Sequence, residues 1–178
     1  MIYFTADLHL GHANIIKLCG RPFASAEEMD AALTDNWNAV VGPRDEVYIL
    51  GDFTMKPAET AHSYLTRLNG RKYFIRGNHD RFLNQIDSFG NHFEWVKDYY
   101  VLNHNGRVFV MFHYPIAEWY GFFRGSIHLY GHIHNSSVSA ARIDDTGLAF
   151  NVGVDCNEFR PVSIEEIIAM SEKRTKAL

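Results

Sequence analysis

The chain has 178 residues, of which 47% are hydrophobic and 21% charged, so it can bury one sizeable core and is short for two ordinary domains. Its formal net charge of −4 gives no electrostatic reason to expect a nucleic-acid or anionic-membrane partner. The 2 cysteines indicate neither a disulfide framework nor a thiolate zinc site, and no apolar stretch of roughly 18 residues could span a bilayer. These properties predict a cytoplasmic protein with a single domain over residues 1–178.

The first half of the chain alternates strand and helix patterns. Short apolar, β-prone runs at 1–5, 46–50 and 72–75 predict three buried strands. A capping-box pattern starting at Ser25 predicts a helix over about 26–41, and Pro57 is a favourable start for a second helix. The β-α-β-α-β order favours parallel strands joined by crossover helices.

The second half contains mostly strand patterns, with turns such as Asn105-Gly106 between them. The predicted strands cover 99–102, 108–112, 127–130, a stretch near 138–143, and 149–152. A second capping box at Ser163 predicts a C-terminal helix. Because little helix separates the strands, we expect this half to be antiparallel within one α/β domain.

Residues that can coordinate or titrate follow five of the predicted strands. They are Asp7 and His9, Asp52, the run Asn78-His79-Asp80, His113, and His132 with His134. Ligands of open α/β sheets bind at the carboxyl ends of the strands. If the strands lie side by side, these side chains converge on one pocket.

The chemistry of this set indicates metal ions. Aspartate and histidine suit zinc, manganese or iron, whereas calcium and magnesium sites rarely contain several imidazoles. The donors outnumber those that a single tetrahedral ion can use. Two neighbouring ions sharing one carboxylate can activate a hydroxide between them for in-line attack at phosphorus. The residues therefore predict a dinuclear hydrolase.

The order of these blocks resembles that of the calcineurin-like metallophosphoesterase family. The blocks are Asp7-x-His9, Gly51-Asp52, Gly77-Asn78-His79-Asp80, His113 and Gly131-His132-x-His134. The resemblance spans nearly the whole chain. It implies a two-sheet α/β/β/α sandwich and a phosphoesterase that hydrolyses phosphomonoesters or phosphodiesters.

The resemblance also implies a role for each matched residue. Two divalent ions (Mn, Fe, Ni or Zn) would be held by Asp7, His9 and His134 at the first site, Asp52 as the bridge, and Asn78, His113 and His132 at the second. His79 would protonate the leaving oxygen, and Asp80 would orient the His79 imidazole. One departure is Met55, where many relatives have a further aspartate that is not a metal ligand.

Several residues keep more than one interpretation. His12 is a candidate contact for the substrate phosphate, or an ordinary loop histidine. Arg21 and Arg76 could serve as fixed cations for phosphate, although a surface or structural role is favoured for Arg76. The aromatic segment 114–124 could stack on a nucleobase, but a hydrophobic wall or a subunit interface is favoured.

The predicted substrate is a small phosphoester or nucleotide, acted on by a monomer or small homo-oligomer. Two alternatives remain: a catalytically inactive binding scaffold of the same fold, and a dinuclear hydrolase of carbon esters or amides. The intact His79 argues against the first alternative, and Asn78 as a ligand argues against the second.

Overall fold

The computed structural model describes residues 1–88, 91–136 and 147–177. Its strands are β1 (Ile2–Thr5), β2 (Glu46–Ile49), β3 (Arg71–Ile75), β4 (Phe93–Lys97), β5 (Tyr99–His104), β6 (Arg107–Phe112), β7 (Ile127–Tyr130), β8 (Ala149–Asn151) and β9 (Val162–Ser163). Its α-helices are α1 (Ala13–Cys19), α2 (Ala26–Val40), α3 (Ala58–Arg67) and α4 (Ile164–Ala177). Short 3₁₀ helices lie at Arg81–Ser88, Phe122–Arg124 and Val154–Cys156.

The first sheet has the strand order β4-β3-β2-β1-β9. Strands β1 to β4 are parallel, and β9 runs antiparallel to β1. The predicted parallel β-α-β-α-β arrangement is therefore confirmed, and the sequence prediction missed α1 and β4. Both capping boxes are also present: Ser25 accepts from the backbone N–H of Glu28, and Ser163 and Glu166 bond reciprocally.

The second sheet has the order β5-β6-β7-β8, and the prediction that this half is antiparallel is wrong for most of it. Among the described strands of this sheet, only β5 and β6 form an antiparallel pair, with Asn105 and Gly106 at positive φ in the turn between them. Strands β6, β7 and β8 are parallel. Residues 113–126 link β6 to β7, and a connection of a dozen residues or more allows a parallel crossover where a tight turn cannot. The predicted strand near 138–143 lies outside the described residues.

Side chains of the first sheet alternate between two cores, since successive residues of a strand point to opposite faces. Phe74 packs in the core under α2 and α3, which also contains Trp37. Ile75 packs in the core between the two sheets, together with Phe109 of β6. Burying each such side chain contributes about 1.5–3 kcal/mol. The predicted α/β fold with two sheets and flanking helices is confirmed.

The outer face of the second sheet is covered by the aromatic segment. Trp119 and Phe122 pack there on Val110 and Tyr130. Part of segment 114–124 is thus the hydrophobic wall that the sequence favoured.

The carboxyl ends of strands from both sheets meet at one edge. The backbone N–H of Asp7 donates to the carbonyl of Gly51, and that of Gly131 donates to the carbonyl of His113. A ring nitrogen of His113 from the second sheet hydrogen-bonds the carbonyl of Leu50 from the first, at 2.7 Å. These contacts bring the loops after β1, β2, β6 and β7 into one cluster. Among the described residues, no helix has the length and hydropathy needed to cross a membrane.

Candidate metal centre

Five of the seven predicted metal ligands have left-handed backbone conformations. They are Asp7, His9, Asp52, His132 and His134, with φ between 48° and 71°. For residues other than glycine this conformation costs of order 1–3 kcal/mol each, and it persists where the surroundings determine it. The loops are therefore held in a specific shape that turns these side chains toward one another.

Glycine is required at position 51 for steric reasons. Gly51 has φ +85°, and a Cβ there would lie 2.6 Å from the Cα of Gly77 and 2.6 Å from Nδ1 of His113. The close approach of the Gly51 and Gly77 backbones places Asp52 and Asn78 side by side.

The first predicted ligand trio is assembled. Donor atoms of Asp7, His9 and His134 all lie within 4.8 Å of one another. The Asp7 carboxylate accepts from the backbone N–H of His132 at 2.9 and 3.0 Å, which links the loop after β1 to that after β7. His9 is buried, and neither of its ring nitrogens has a hydrogen-bond partner among the described residues. Burying an imidazole nitrogen without a hydrogen-bond partner is unfavourable, and a bound metal ion would supply the missing partner. The surroundings of His9 therefore fit a metal ligand.

The second predicted trio, Asn78, His113 and His132, is assembled next to the first. Donor atoms of Asp52, His113 and His132 lie within 4.8 Å of one another. Oδ1 of Asn78 lies 3.0 Å from Nε2 of His113 and 3.1 Å from Nδ1 of His132. The amide oxygen thus faces the same point as the two imidazoles.

Asp52 lies between the two trios. Its Oδ2 is 3.5 Å from Nε2 of His9 and 3.5 Å from Nε2 of His113. Its Oδ1 accepts from the backbone N–H of His79 at 2.9 Å, so the carboxylate orientation is fixed. This is the placement that the resemblance implies for a bridging carboxylate.

Charges in the cluster stabilise one another. Burial alone would raise the pKa of Asp52, but the imidazole of His113 and the N–H of His79 outweigh it and lower the pKa to about 2. Burial raises the pKa of Asp7 to about 6, although His113 and His134 oppose this. Burial lowers the pKa of His9 to about 3. A neutral His9 beside an ionised Asp52 is the protonation state in which both can ligate a cation.

His79 and His12 lie beside the cluster and outside the two trios. The side chain of His79 is 41% exposed, and its Nε2 is 4.0 Å from Oδ2 of Asp52. The rings of His79 and His12 each lie 5.5 Å from the ring of His9. Both histidines therefore flank the space in front of the candidate ligands.

The structure does not support the orienting role predicted for Asp80. One carboxylate oxygen of Asp80 accepts from the backbone N–H groups of Asp52 and Gly77, and the other accepts from that of Phe53. The carboxylate is buried beneath the two loops, where these backbone donors need an acceptor. Asp80 thus joins the loop after β2 to the loop after β3, and its carboxylate does not orient the His79 ring.

Asp155 is a functional candidate that sequence reasoning missed. Its Oδ2 accepts a hydrogen bond from Nδ1 of His134 at 2.8 Å. Nε2 of that ring is then the nitrogen that can coordinate an ion at the first predicted site. Asp155 follows β8 just as the other candidates follow their strands, so the same strand-end pattern could have identified it.

Arg21 is buried in the structure and does not serve as a cation for phosphate. It makes a two-pronged ion pair with Asp155 at 2.8 and 2.9 Å and also donates to the carbonyls of Asp7 and Leu8. Its side chain is 0% exposed, so a substrate phosphate cannot reach it. Arg76 lies at the surface, 3.7 Å from Asp98.

Cys19, His134 and Asp155 form a further group of possible metal ligands within 4.8 Å. Burial, with the charges of Asp155 and Asp7, raises the pKa of the Cys19 thiol to about 11. His134 is shared with the first trio, and its Nδ1 is already bonded to Asp155. This group is a poor separate metal site.

One cavity is lined by candidate ligands, and another is lined by aromatic side chains. A groove of about 400 Å³ is lined by His9, His79 and His134 among others. A second cavity of about 540 Å³ is lined by aromatic residues that include Tyr99, Trp119 and Phe123. The ring of Tyr114 packs against those of His113 and His132 at 4.9 and 4.6 Å.

Two facing Asp-His clusters at the edge of a two-sheet α/β fold define a metallophosphoesterase-type protein. A model of the calcineurin-like phosphoesterase family matches residues 1–136. The chain belongs to this family. Family and donor set together support a metal-dependent phosphoesterase, a hydrolase acting on phosphoesters.

Similar proteins match over different lengths. MJ1445, an uncharacterized protein of Methanocaldococcus jannaschii, is 38% identical over 175 residues, covering 97% of this chain and 92% of that protein. The Gene 66 protein of Mycobacterium phage L5 is 42% identical over 82 residues, covering 44% of this chain and 39% of that protein. The crystal structure of AQ665 from Aquifex aeolicus, of unknown function, has a TM-score of 0.74 and 27% identity, covering 96% of this chain and 98% of that one. The fold is thus shared over nearly the whole chain.

Proposed function

We propose that this protein hydrolyses small phosphomonoesters or phosphodiesters, nucleotides included, with two divalent metal ions. The proposed ligands are Asp7, His9 and His134 for one ion, Asn78, His113 and His132 for the other, and Asp52 for both. One observation carries the proposal: a single oxygen of Asp52 lies 3.5 Å from a ring nitrogen in each trio. A carboxylate so placed can serve two ions at once.

The hydrogen bonds of the imidazoles support this ligand set. Nδ1 of His113 donates to the carbonyl of Leu50, and Nδ1 of His134 donates to Asp155. In each ring Nε2 is then the nitrogen left to coordinate an ion, the usual arrangement behind metal-binding histidines. When bound, two adjacent ions supply a Lewis-acid clamp for the phosphoryl oxygens and lower the pKa of water.

His79 is proposed to move the proton of the reaction. Its backbone is fixed by the bond to Asp52, while its ring is exposed to the space that a substrate would fill. From there it can donate a proton to the leaving oxygen. His12, whose ring also lies 5.5 Å from that of His9, is proposed to contact the substrate phosphate.

We further propose that residues 1–178 work as one domain. The core between the sheets combines side chains from both halves, such as Phe4 and Ile75 with Phe109 and Leu129. Asp7 and His132 are joined by hydrogen bonds across 125 positions of sequence. Neither half therefore contains the complete candidate site.

The proposal is tested by removing metals with a chelator and reloading separate samples with Mn, Fe, Ni or Zn. Ions per chain are measured by mass spectrometry, and turnover is measured on monoesters, diesters, cyclic nucleotides and an acyl ester. We expect two ions per chain and turnover of at least one phosphoester. Two bound ions without turnover would indicate the inactive scaffold, and hydrolysis of the acyl ester alone would indicate the carbon-ester hydrolase.

A further inference from the structure

The groove next to His9 combines apolar side chains with histidines of the candidate metal centre. We call it the α1 groove, because Ile15 and Leu18 of α1 form one wall and Met55 and Ile133 contribute apolar surface nearby. Its volume is about 400 Å³. It thus places apolar surface beside a polar centre.

The α1 groove is continuous with the position where the leaving group would separate. His79, the proposed proton donor, lines the groove together with His9 and His134. The atoms attached to the leaving oxygen must lie near the group that protonates that oxygen. None of the proposed ligands, and not His79, lines the aromatic cavity.

The ionisable side chains that line the groove are those of histidines, together with the thiol of Cys19. Of the described residues that line it, none is Asp, Glu, Lys or Arg. Arg21 is buried against Asp155, and the side chain of Lys56 lies over Gly11. A charged leaving group placed against the apolar wall of Ile15 and Leu18 would lose water without gaining a fixed counter-charge, which is unfavourable.

Two large apolar side chains stand exposed along the groove. Leu18 is 76% exposed and Met55 is 51% exposed. Covering such surface with an apolar ligand is favourable, and the unbranched Met55 can adapt to ligand shape.

We propose that the α1 groove binds the leaving group of the substrate, and that this group is uncharged and apolar, as an aryl group is. This proposal depends on the proposed phosphoesterase function, because a leaving group exists only if the substrate is hydrolysed. Binding of an aryl group next to the centre can be measured without any turnover.

The probes are phenylphosphonate and methylphosphonate, whose phosphorus–carbon bond is not a phosphoester. Calorimetry on the Mn-loaded protein gives a dissociation constant for each. We expect phenylphosphonate to bind about tenfold more tightly, since burying roughly 60 Å² of apolar surface has this effect. Equal constants, or no binding of either probe, would overturn the proposal.

The variants Leu18→Glu and Met55→Glu test whether the phenyl ring of the probe binds in the α1 groove. Both side chains are exposed, so the fold should tolerate the changes. Each variant should reduce the preference for phenylphosphonate to about twofold or less, while methylphosphonate binding and metal content stay unchanged. Wild-type preference in both variants would contradict the proposal.

Phe123→Glu is the matched control, because Phe123 is 85% exposed and lines the aromatic cavity instead. This variant should keep the full preference for phenylphosphonate. If the variant lost that preference, the ring would bind in the aromatic cavity and the proposal would be overturned. Turnover of phenyl phosphate is measured in parallel. If the α1 groove selects the phenyl ring but no phosphoester is hydrolysed, the groove is a ligand site and the proposed function has failed.

Discussion

Asp155 accepts a hydrogen bond from His134 at 2.8 Å while both of its oxygens hold Arg21 in a buried ion pair. Arg21 in turn holds the carbonyls of Asp7 and Leu8. A single network therefore positions the loops after β1 and β7, which supply the first trio. The shape of the proposed first metal site depends on a carboxylate that does not belong to the trio.

Asp155→Asn should weaken metal binding without removing any proposed ligand. The amide holds His134 less firmly, and loss of such a partner typically lowers metal affinity 10- to 100-fold. A competitive chelator titration of the metal-free variant measures this. Turnover should recover at saturating metal, because the ligands themselves are unchanged.

Asp98→Asn is the control for this variant, since the Asp98 side chain is 79% exposed and 3.7 Å from Arg76. It should bind metal as the wild type does. Equal affinity of Asp155→Asn and wild type would contradict the positioning role.

Most of the candidate cluster could be predicted from the sequence, because one rule covers it. Asp7, Asp52 and His113 each follow an apolar strand, and strand ends on one edge meet in space. The loops after β2 and β3, which Asp52 connects, could be recognised in the sequence as glycine-containing turns after buried strands.

Hydrogen-bond partners could not be predicted in the same way. Arg21 and Asp155 are 134 positions apart, and nothing in the local sequence of either indicates the other. Asp80 lies next to His79 in sequence, yet its carboxylate points down to buried backbone donors. Side-chain direction depends on burial in the completed fold.

Strand direction in the second sheet also depends on the whole fold. Apolar runs identify β6, β7 and β8 as strands, but their relative direction depends on how the connecting segments run. Among the described strands of this sheet, the hairpin of β5 and β6 carries a local signal, the turn at Asn105-Gly106. That local prediction was correct.

Asp52→Asn should lower metal content and turnover together. The substitution replaces the negative carboxylate between the two trios with a neutral amide, which is a weaker ligand for bridging two ions. The hydrogen bond from His79 can still be accepted, so the loop should keep its shape. Metal analysis after dialysis should show fewer than two ions per chain.

The control for Asp52→Asn is Asp45→Asn, at the far end of β2 from the candidate centre. Full metal content in Asp52→Asn with lost turnover would contradict the bridging role.

His79→Ala should leave both ions bound while lowering turnover by about 10²- to 10⁴-fold, the usual range for proton transfer by a side chain. The backbone N–H of residue 79 keeps its bond to Asp52 in the variant. His104→Ala in the β5–β6 hairpin should behave as wild type. Loss of a metal ion from His79→Ala would show that this residue is a ligand.

Lys72 gives a pH effect that is independent of the candidate centre. It is buried in β3, where its ammonium donates to the carbonyls of Leu68 and Gly70, and burial lowers its pKa to about 8. The unfolded chain, with a lysine pKa near 10.4, binds more protons between pH 8 and 10. Stability from this group should therefore rise with pH across that window, by up to about 3 kcal/mol if the whole shift were realised.

Lys72→Met removes the titration, so its free energy of unfolding relative to wild type should change with pH. Urea unfolding of both proteins without metal at pH 7, 8, 9 and 10 measures the difference. The carbonyls of Leu68 and Gly70 lose their donor equally at every pH, and that loss cancels from the slope. Wild type should gain stability relative to Lys72→Met between pH 8 and 10; a constant difference would mean that Lys72 titrates alike in the folded and unfolded chains.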